Sequence, residues 1–488
     1  MATQTEAILR NEQLVQLDQM GVRRFDINQM RQIAGGVRES ITQRIFDGRS
    51  ISTFLKASPE NLTDLERKET IVLEVGGTNM RFAHMKIVNG KPEIVRNEFG
   101  CGKLLDEKGD EKKRYGSAKE FFDRLFDELN AKGENPGLNE ILRKNPNAAL
   151  SIIFSFPGIP EETPGGSLDS FVPYFTKGFD IPELKRNNFM QVFNEYLKER
   201  KLGERQQVIF SDTPILISGD TNIGLVVGTG YNFAIKMRVG RLREIKNDPD
   251  FAPGWVANDE MLVNIKAGGM DDTANILYAE AVARGDRNST ILAMIDGVLS
   301  EDEWGKQKEE KLIAGQNKGL ELQLILLKLK QKGLIKSEII SASLEKDRWK
   351  AEDVSAILRN QWEDGDVNKR IRKINNMDRQ QVKEICEIIR DQVAQIVACH
   401  LVGALDVMDQ QEIKSITEGS FFWGTPQFKN IVQQYLCALG VNYAEFIKVG
   451  VDGDKMGSMK RAAVAGINYI ETHAPQRESS SHQNTTSS

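Results

Sequence analysis

The residues able to carry chemistry gather between Ser211 and Met237, SDTPILISGDTNIGLVVGTGYNFAIKM. A short apolar run, Val208, Ile209 and Phe210, leads into Ser211-Asp212-Thr213. A second run, Ile223 to Val227, empties into Gly228-Thr229-Gly230. A strand that ends in Gly-Thr-Gly makes a tight turn with free backbone N–H groups, and such turns hold phosphate. A carboxylate close in sequence to a phosphate turn is the pair that phosphoryl transfer requires. The turn holds the donor, and the carboxylate takes a proton from the attacking hydroxyl.

Other segments offer related chemistry. Thr70 to Val75 reads as a buried strand, and Met80 to Ala83 as a second. Between them lie Gly76, Gly77, Thr78 and Asn79. This turn is either a plain hairpin or a phosphate cradle. In the second reading Gly76 and Gly77 let backbone N–H groups approach closely, Thr78 and Arg81 add donors, and Glu74 looks toward a metal. The loop Phe175-Thr176-Lys177-Gly178-Phe179-Asp180 either binds substrate hydroxyls or is ordinary surface. Gly419-Ser420 ends a further strand. Val451 to Ser458 is a glycine-rich loop, with Gly453 and Gly457, that opens a small-residue helix. Such a loop at a helix N-terminus favours an anion or a nucleotide.

Composition narrows the partners. The chain has 488 residues, is 40% hydrophobic and carries a net charge of -5. That length supports two or three domains, or one large two-lobed unit. No long basic run stands out, so neither nucleic acid nor an anionic membrane is expected as a partner. No uninterrupted apolar stretch reads as a bilayer span, and the N-terminus lacks a signal-peptide pattern. A cytoplasmic location is the expectation. The four cysteines form no CxxC pair and read as reduced thiols. Four histidines, two of them at His473 and His482, leave little for a His-ligated metal or a His-based triad.

The elements that must position these residues alternate between strand and helix. Residues 1–66 read mostly as helix, with Met30, Ile33, Val37, Ile41 and Ile45 on one apolar face. Residues 117–146 are helical, with Phe121, Phe122, Leu125, Phe126 and Leu129 together. Ala148 to Ser155 is a strand, and Asn187 to Arg200 a helix. Phe251 to Ile265 and Lys266 to Gly269 read as a loop system. Leu312 to Leu334 contains a strongly apolar helix, Leu320 to Leu329, and Gln380 to Met408 is another long helix, read as core. The Ser/Thr/Gln-rich tail, 475–488, is expected to be disordered.

No single turn is specific, but the ordered set is. LEVGGTNMRF (73–82), Ser155-Phe-Pro-Gly, FTKGFDIPEL (175–184), Asp212-Thr213, IGLVVGTGYN (223–232), Gly419-Ser420 and the final glycine loop resemble the hexokinase family, of the actin-like ATPase fold superfamily. The similarity runs from about Met20 to Ile470. It implies an α/β chain with two ribonuclease H-like lobes and an active-site cleft between them. The implied small lobe is 67–211 plus a C-terminal helix near 460–474. The implied large lobe is 212–459, with 1–66 packed on it. The resemblance implies ATP, Mg2+ and a hexose, in a monomer or a homodimer. It makes Asp212 the general base for the sugar 6-hydroxyl, with Lys177 and Arg81 in the catalytic set. Ser155, Thr176, Lys177, Ser211, Asp212, Asn232 and Lys266 fall at sugar-side positions. Gly76, Gly77, Thr78, Asn79 and Arg81 match one phosphate turn, and Gly228 and Thr229 the other. Gly419, Ser420, Gly453, Gly457 and Ser458 match the adenosine side, and Glu74 faces magnesium through water.

The sequence departs from the family at four places. Glu74 stands where an Asp is usual, Ser211 where an Asn is usual, and Pro214-Ile215 where Val-Gly is usual. The fourth concerns two sugar-binding glutamates. Asn264-Ile-Lys266 puts a lysine at one, and Leu320 follows Gly319 at the other, with Glu321 one place late. Glu260 and Glu321 are the substitutes within sequence reach. Three readings follow: a hexose kinase, a kinase for a different sugar, and a silent homologue that binds sugar or nucleotide.

Overall fold

The computed structural model describes residues 9–56, 63–76, 79–103, 115–130, 136–154, 159–163, 166–172, 181–185, 187–299, 304–336, 349–362, 374, 376–449 and 457–473. In chain order it begins with α1 (Asn11–Gln19), α2 (Ile27–Phe46), β1 (Ile51–Lys56), β2 (Glu69–Val75), β3 (Asn79–Val88) and β4 (Lys91–Lys103). Next come α3 (Ala118–Asn130), α4 (Leu138–Lys144), β5 (Ala149–Phe154), β6 (Ile159–Glu162), β7 (Leu168–Phe171), α5 (Phe189–Glu199) and β8 (Gln207–Phe210). β9 (Ile223–Val227), β10 (Tyr231–Arg238), α6 (Val239–Lys246), β11 (Glu260–Asn264), α7 (Asp272–Ala283), α8 (Ile291–Asp296), α9 (Lys308–Ile313), α10 (Gly315–Gln331) and α11 (Ala351–Leu358) follow. The chain closes with α12 (Asn376–Met408), β12 (Glu412–Glu418), α13 (Ser420–Gly424), α14 (Phe428–Ala438), β13 (Tyr443–Lys448) and α15 (Gly457–His473).

The chain divides into two compact units. One holds 1–53 and 220–453, and the other 54–219 and 454–488. Asp212 therefore belongs to the second. The reason is local: Arg461 of α15 donates to Leu216 O and to Ser218 Oγ, tying the segment after β8 to α15.

The unit built on 54–219 carries a seven-stranded sheet in the order β4-β3-β2-β5-β8-β7-β6. β2 pairs antiparallel with β3 and parallel with β5, and β5 runs parallel to β8. The interior of β2, Ile71 to Leu73, is buried on both faces, as a central strand must be. One face packs on α3 and α5. Their Phe121, Phe122, Phe126, Phe189 and Phe193 are buried and meet at ring-centroid distances of 4.8–6.2 Å. α15 also belongs to this unit, and Gly466 lets it approach closely. A Cβ there would stand 1.9 Å from Ser151 Oγ on β5.

The other unit carries a six-stranded sheet, β1-β11-β10-β9-β12-β13. β9 pairs antiparallel with β10 and parallel with β12, and β12 runs parallel to β13. The five strands β11-β10-β9-β12-β13 thus repeat the order and directions of β4-β3-β2-β5-β8. Two mixed sheets of one plan make this the α/β chain expected. α2 buries Met30, Ile33, Val37, Ile41 and Ile45. It crosses α12 where Gly403 has no side chain; a Cβ would lie 2.7 Å from Val37 Cγ1.

Two expectations are corrected, and the helix at 380–408 is the core helix expected. Residues 51–56 form strand β1, so the N-terminal segment is not all helix. Residues 260–264 form β11, paired residue for residue with β10 from Arg238↔Glu260 to Ala234↔Asn264. Asp378–Met408 of α12 is long and apolar enough for a membrane span by length and composition. Within the fold, 89% of its most apolar window is buried, as in a core helix. All four cysteines are free thiols; Cys386 and Cys399 are buried in α12.

Candidate active site

Open α/β sheets offer ligands the edge where parallel strands end, because loops and helix N-termini gather there. In the 54–219 unit β2, β5 and β8 end at one such edge. The register runs Arg81↔Glu74, Glu74↔Ile153 and Ile153↔Phe210, one row across four strands. Gly76 lies two residues past this row on β2, and Asp212 two residues past it on β8.

Asp212 is half-buried. Its Oδ1 accepts from Thr213 Oγ1 at 3.1 Å and from Ser211 Oγ at 3.4 Å. Thr213, Pro214, Ile215 and Leu216 are buried and form a 3-10 turn that fixes the carboxylate from below. Arg461 holds the far side of that turn, and burial pushes its guanidinium down from the ordinary value. Sequence reasoning missed Arg461. Its signal, an Arg inside a small-residue helix, carries no mark of the loop it serves.

Glu74 faces Arg81 across the hairpin. Arg81 Nη2 lies 2.8 Å from Oε1 and 2.6 Å from Oε2, and both side chains are largely shielded from solvent. The same nitrogen donates to Ser458 Oγ, 3.4 Å away at the start of α15. So Glu74, Arg81 and Ser458 are brought together, with Gly457 buried beside Ser458. Gly77, Thr78, Ser155, Thr176, Lys177 and Gly453 lie outside the described residues. Asn79 is described as the first residue of β3 only.

The 220–453 unit gathers its residues at the matching edge of its own sheet. Glu418, Val226 and Asn232 form one row on β12, β9 and β10. Beyond the row four glycines, Gly228, Gly230, Gly315 and Gly419, close on one another. Gly228 N–H donates to Gly230 O at 2.9 Å, and Gly315 N–H, the first of α10, donates to Gly228 O at 2.7 Å. A Cβ on Gly315 would lie 2.9 Å from Gly228 O, and one on Gly419 would lie 2.2 Å from Val227 O. Gly419 also has φ +120°, which side chains rarely adopt. Gly228, Gly419 and Ser420 are thus brought together, and Gly315 joins them unforeseen by the sequence.

Asn232 Nδ2 donates to Asn264 Oδ1 at 2.8 Å, and its Oδ1 accepts from Ala267 N–H at 3.1 Å. Lys266 sits in this bend with φ +58°, and its N–H lies 3.4 Å from Asn264 Oδ1. The two glutamates within sequence reach do not join it. Glu260 is at the opposite end of β11, about 13 Å away along the strand, where it pairs with Lys236 at 3.1 Å. Glu321 is buried in α10, paired with the equally buried Lys318, whose Nζ also donates to Leu312 O at 2.6 Å. Burial raises the Glu321 carboxyl above its ordinary value despite that cation. Among the described residues no group of three or more His, Cys, Asp or Glu could hold a metal.

Two hexokinase family models match, over residues 21–215 and 222–467. The chain belongs to the hexokinase family. It is 21% identical over 444 residues to hexokinase-3 of Mus musculus, covering 86% of this chain and 43% of that one. It is 24% identical over 388 residues to hexokinase-1 of Schizosaccharomyces pombe, covering 76% and 73%. The chain thus spans less than half the length of the mouse protein. Among solved structures it resembles a hexokinase from Schistosoma mansoni complexed with glucose. The TM-score is 0.70 at 17% identity, over 92% of this chain and 98% of that one. The likeness establishes the hexokinase fold.

Proposed function

We propose that the chain is an ATP-dependent hexose kinase, with Asp212 as general base. One observation carries the reading: Asp212 and the Glu74–Arg81 pair stand at the same edge of one sheet, in a chain of the hexokinase family. In the proposed reaction Asp212 takes the proton of the 6-hydroxyl. The sugar oxygen bonds to the γ-phosphorus, the bond to the bridging β–γ oxygen breaks, and ADP leaves. Positioning and charge neutralisation supply most of the acceleration in such transfers. Arg81 adds positive charge toward the phosphates, with Lys177 beside it in the family pattern. Gly76 to Asn79, Gly228 and Thr229 hold phosphates by backbone and hydroxyl donors. Gly419, Ser420, Gly453, Gly457 and Ser458 take the adenosine side. Ser155, Thr176, Ser211 and Asn232 take the sugar side.

Magnesium belongs to the nucleotide in this reading. The absence of an acidic cluster among the described residues suits an ion that arrives on phosphate oxygens and keeps its waters. Glu74, already paired with Arg81, reaches such an ion through water. A second reading concerns the sugar. Glu321 and Glu260 are committed elsewhere, and Lys266 stands in the bend beside Asn232 and Asn264. This favours a hexose that presents a group complementary to an ammonium.

The test is ADP release from MgATP across glucose, fructose, mannose, glucosamine and N-acetylated hexosamines, with Asp212→Ala beside the wild type. The expected result is sugar-dependent ADP that falls about 10²–10⁴-fold in the variant. Sugar-independent turnover, or none at millimolar sugar, refutes the kinase reading. A preferred N-acetylated hexosamine, whose acetamide carbonyl can accept from an ammonium, supports the second reading, and a preferred glucosamine contradicts it.

A further inference from the structure

Helix α9 carries two consecutive glutamates that face different ways. Glu309 is fully buried. Its Oε1 accepts from the N–H of Thr273 at 2.6 Å and of Ala274 at 3.3 Å, in the first turn of α7. Its Oε2 lies 3.6 Å from Nε2 of the equally buried His400 of α12. Among the described residues neither of those two atoms has a hydrogen-bond partner, so each has the other as its polar neighbour. His400 Nδ1 lies 2.9 Å from the hydroxyl of Tyr231. Tyr231 is the first residue of β10, immediately after Gly230.

The imidazole joins two side chains. Its Nδ1 shares a hydrogen bond with the Tyr231 hydroxyl, whose direction follows the tautomer, and its Nε2 faces Glu309 Oε2. Asp272 and Cys399 are the other titratable groups around this pair. Asp272 is bonded to Ser40 Oγ at 2.8 Å, and Cys399 donates to Met30 O at 3.3 Å.

Glu310 turns toward the glycines. Its Oε1 lies 3.0 Å from where a Cβ on Gly230 would stand, and its Oε2 lies 2.9 Å from where one on Gly268 would stand. The carboxylate fills the space between the Gly228–Gly230 turn and the Ala267–Gly269 turn that follows Lys266. A Cβ at position 230 would require the carboxylate to give way by a few tenths of an ångström. We propose that Glu310 is a positioning residue for the Gly228–Gly230 turn, seated by the Tyr231–His400–Glu309 chain. The role rests on the reading of that turn as a nucleotide-phosphate site. The glycines at 230 and 268 then answer to Glu310, and not to the nucleotide alone.

The test is a double-mutant cycle of wild type, Glu310→Ala, Gly230→Ala and the pair, with the isosteric Glu310→Gln added. MgADP affinity is measured by calorimetry, amide exchange over 226–232 by mass spectrometry, and folding by thermal unfolding. Each single change is expected to weaken MgADP about tenfold, the scale of one charge-assisted contact, and to speed exchange at the turn. In the Glu310→Ala background, Gly230→Ala should cost less than twofold, because the obstructing oxygen is gone. Additive costs, or a lowered melting temperature with affinity and exchange over 226–232 unmoved, overturn the proposal. Should the wild type bind no MgADP, the kinase reading fails by itself. Exchange over 226–232 in Glu310→Ala then decides the positioning claim, faster supporting it and unchanged refuting it.

Discussion

β2 and β3 pair as one antiparallel hairpin, and β9 and β10 as another that turns through 228–230. In each, the first strand also pairs in parallel with a third, β5 or β12. The cross-strand pair next to last before the turn is Glu74↔Arg81 in one and Val226↔Asn232 in the other. One plan is therefore finished with two chemistries. The first hairpin carries an ion pair that hands Arg81 on to Ser458. The second carries an amide network, Asn232 to Asn264 and Ala267, and a turn locked by glycine against glycine. Repeated topology fixes where a ligand-binding edge lies. The side chains two residues inside the turn decide whether that edge offers charge or shape.

The comparison is broken most severely through α10, whose first N–H bonds Gly228 O. Lys318→Met leaves Glu321 buried without its cation, and should cost about 3–5 kcal/mol by urea unfolding. The double replacement Lys318→Met with Glu321→Leu should recover most of that. A loss under 1 kcal/mol in the single variant would mean the pair does not hold α10. Gly419→Ala comes next. It forces a side chain into φ +120° and against Val227 O, and should cost about 3 kcal/mol. The first hairpin should respond more mildly in stability and more sharply in nucleotide affinity. Arg81→Ala removes a charge-assisted pair worth about 1.5–3 kcal/mol, and should raise KM for ATP while leaving KM for the sugar within twofold. The smallest effect sharpens the contrast by pH. The Glu321 carboxyl has a higher pKa in the folded chain, so its contribution is present below its ordinary value of 4.5 and lost as pH rises through the raised value. The stability of wild type relative to Glu321→Gln should decline as pH rises from 4.5, and a rising difference would contradict the burial argument.

The β2–β3 hairpin was legible in the sequence because it depends on neighbours in the chain: an apolar strand, glycines, then a second strand. Of the β9–β10 hairpin, the strand into Gly228–Gly230 was legible and β10 was not. The face of α2 and the strand ahead of Asp212 were legible for the same reason. β1 and β11 were not. Each is a short strand specified by pairing with a distant partner, and five residues, EMLVN, carry little periodicity alone. The fate of Glu321 was illegible as well. Its spacing suggested a displaced sugar ligand, whereas the i to i+3 geometry of α10 turns it onto Lys318. Glu310 and Arg461 serve turns far away in sequence, and only the folded chain brings them there.

The most direct measurement of the central claim is the sugar product itself. Purified protein is incubated with MgATP and the sugar preferred in the panel, and the sugar is analysed by mass spectrometry and NMR. The account predicts a 6-phosphate monoester that forms with wild type, requires magnesium and forms about 10²–10⁴-fold more slowly with Asp212→Ala. Unmodified sugar from wild type, or the same ester from Asp212→Ala at an undiminished rate, would contradict it.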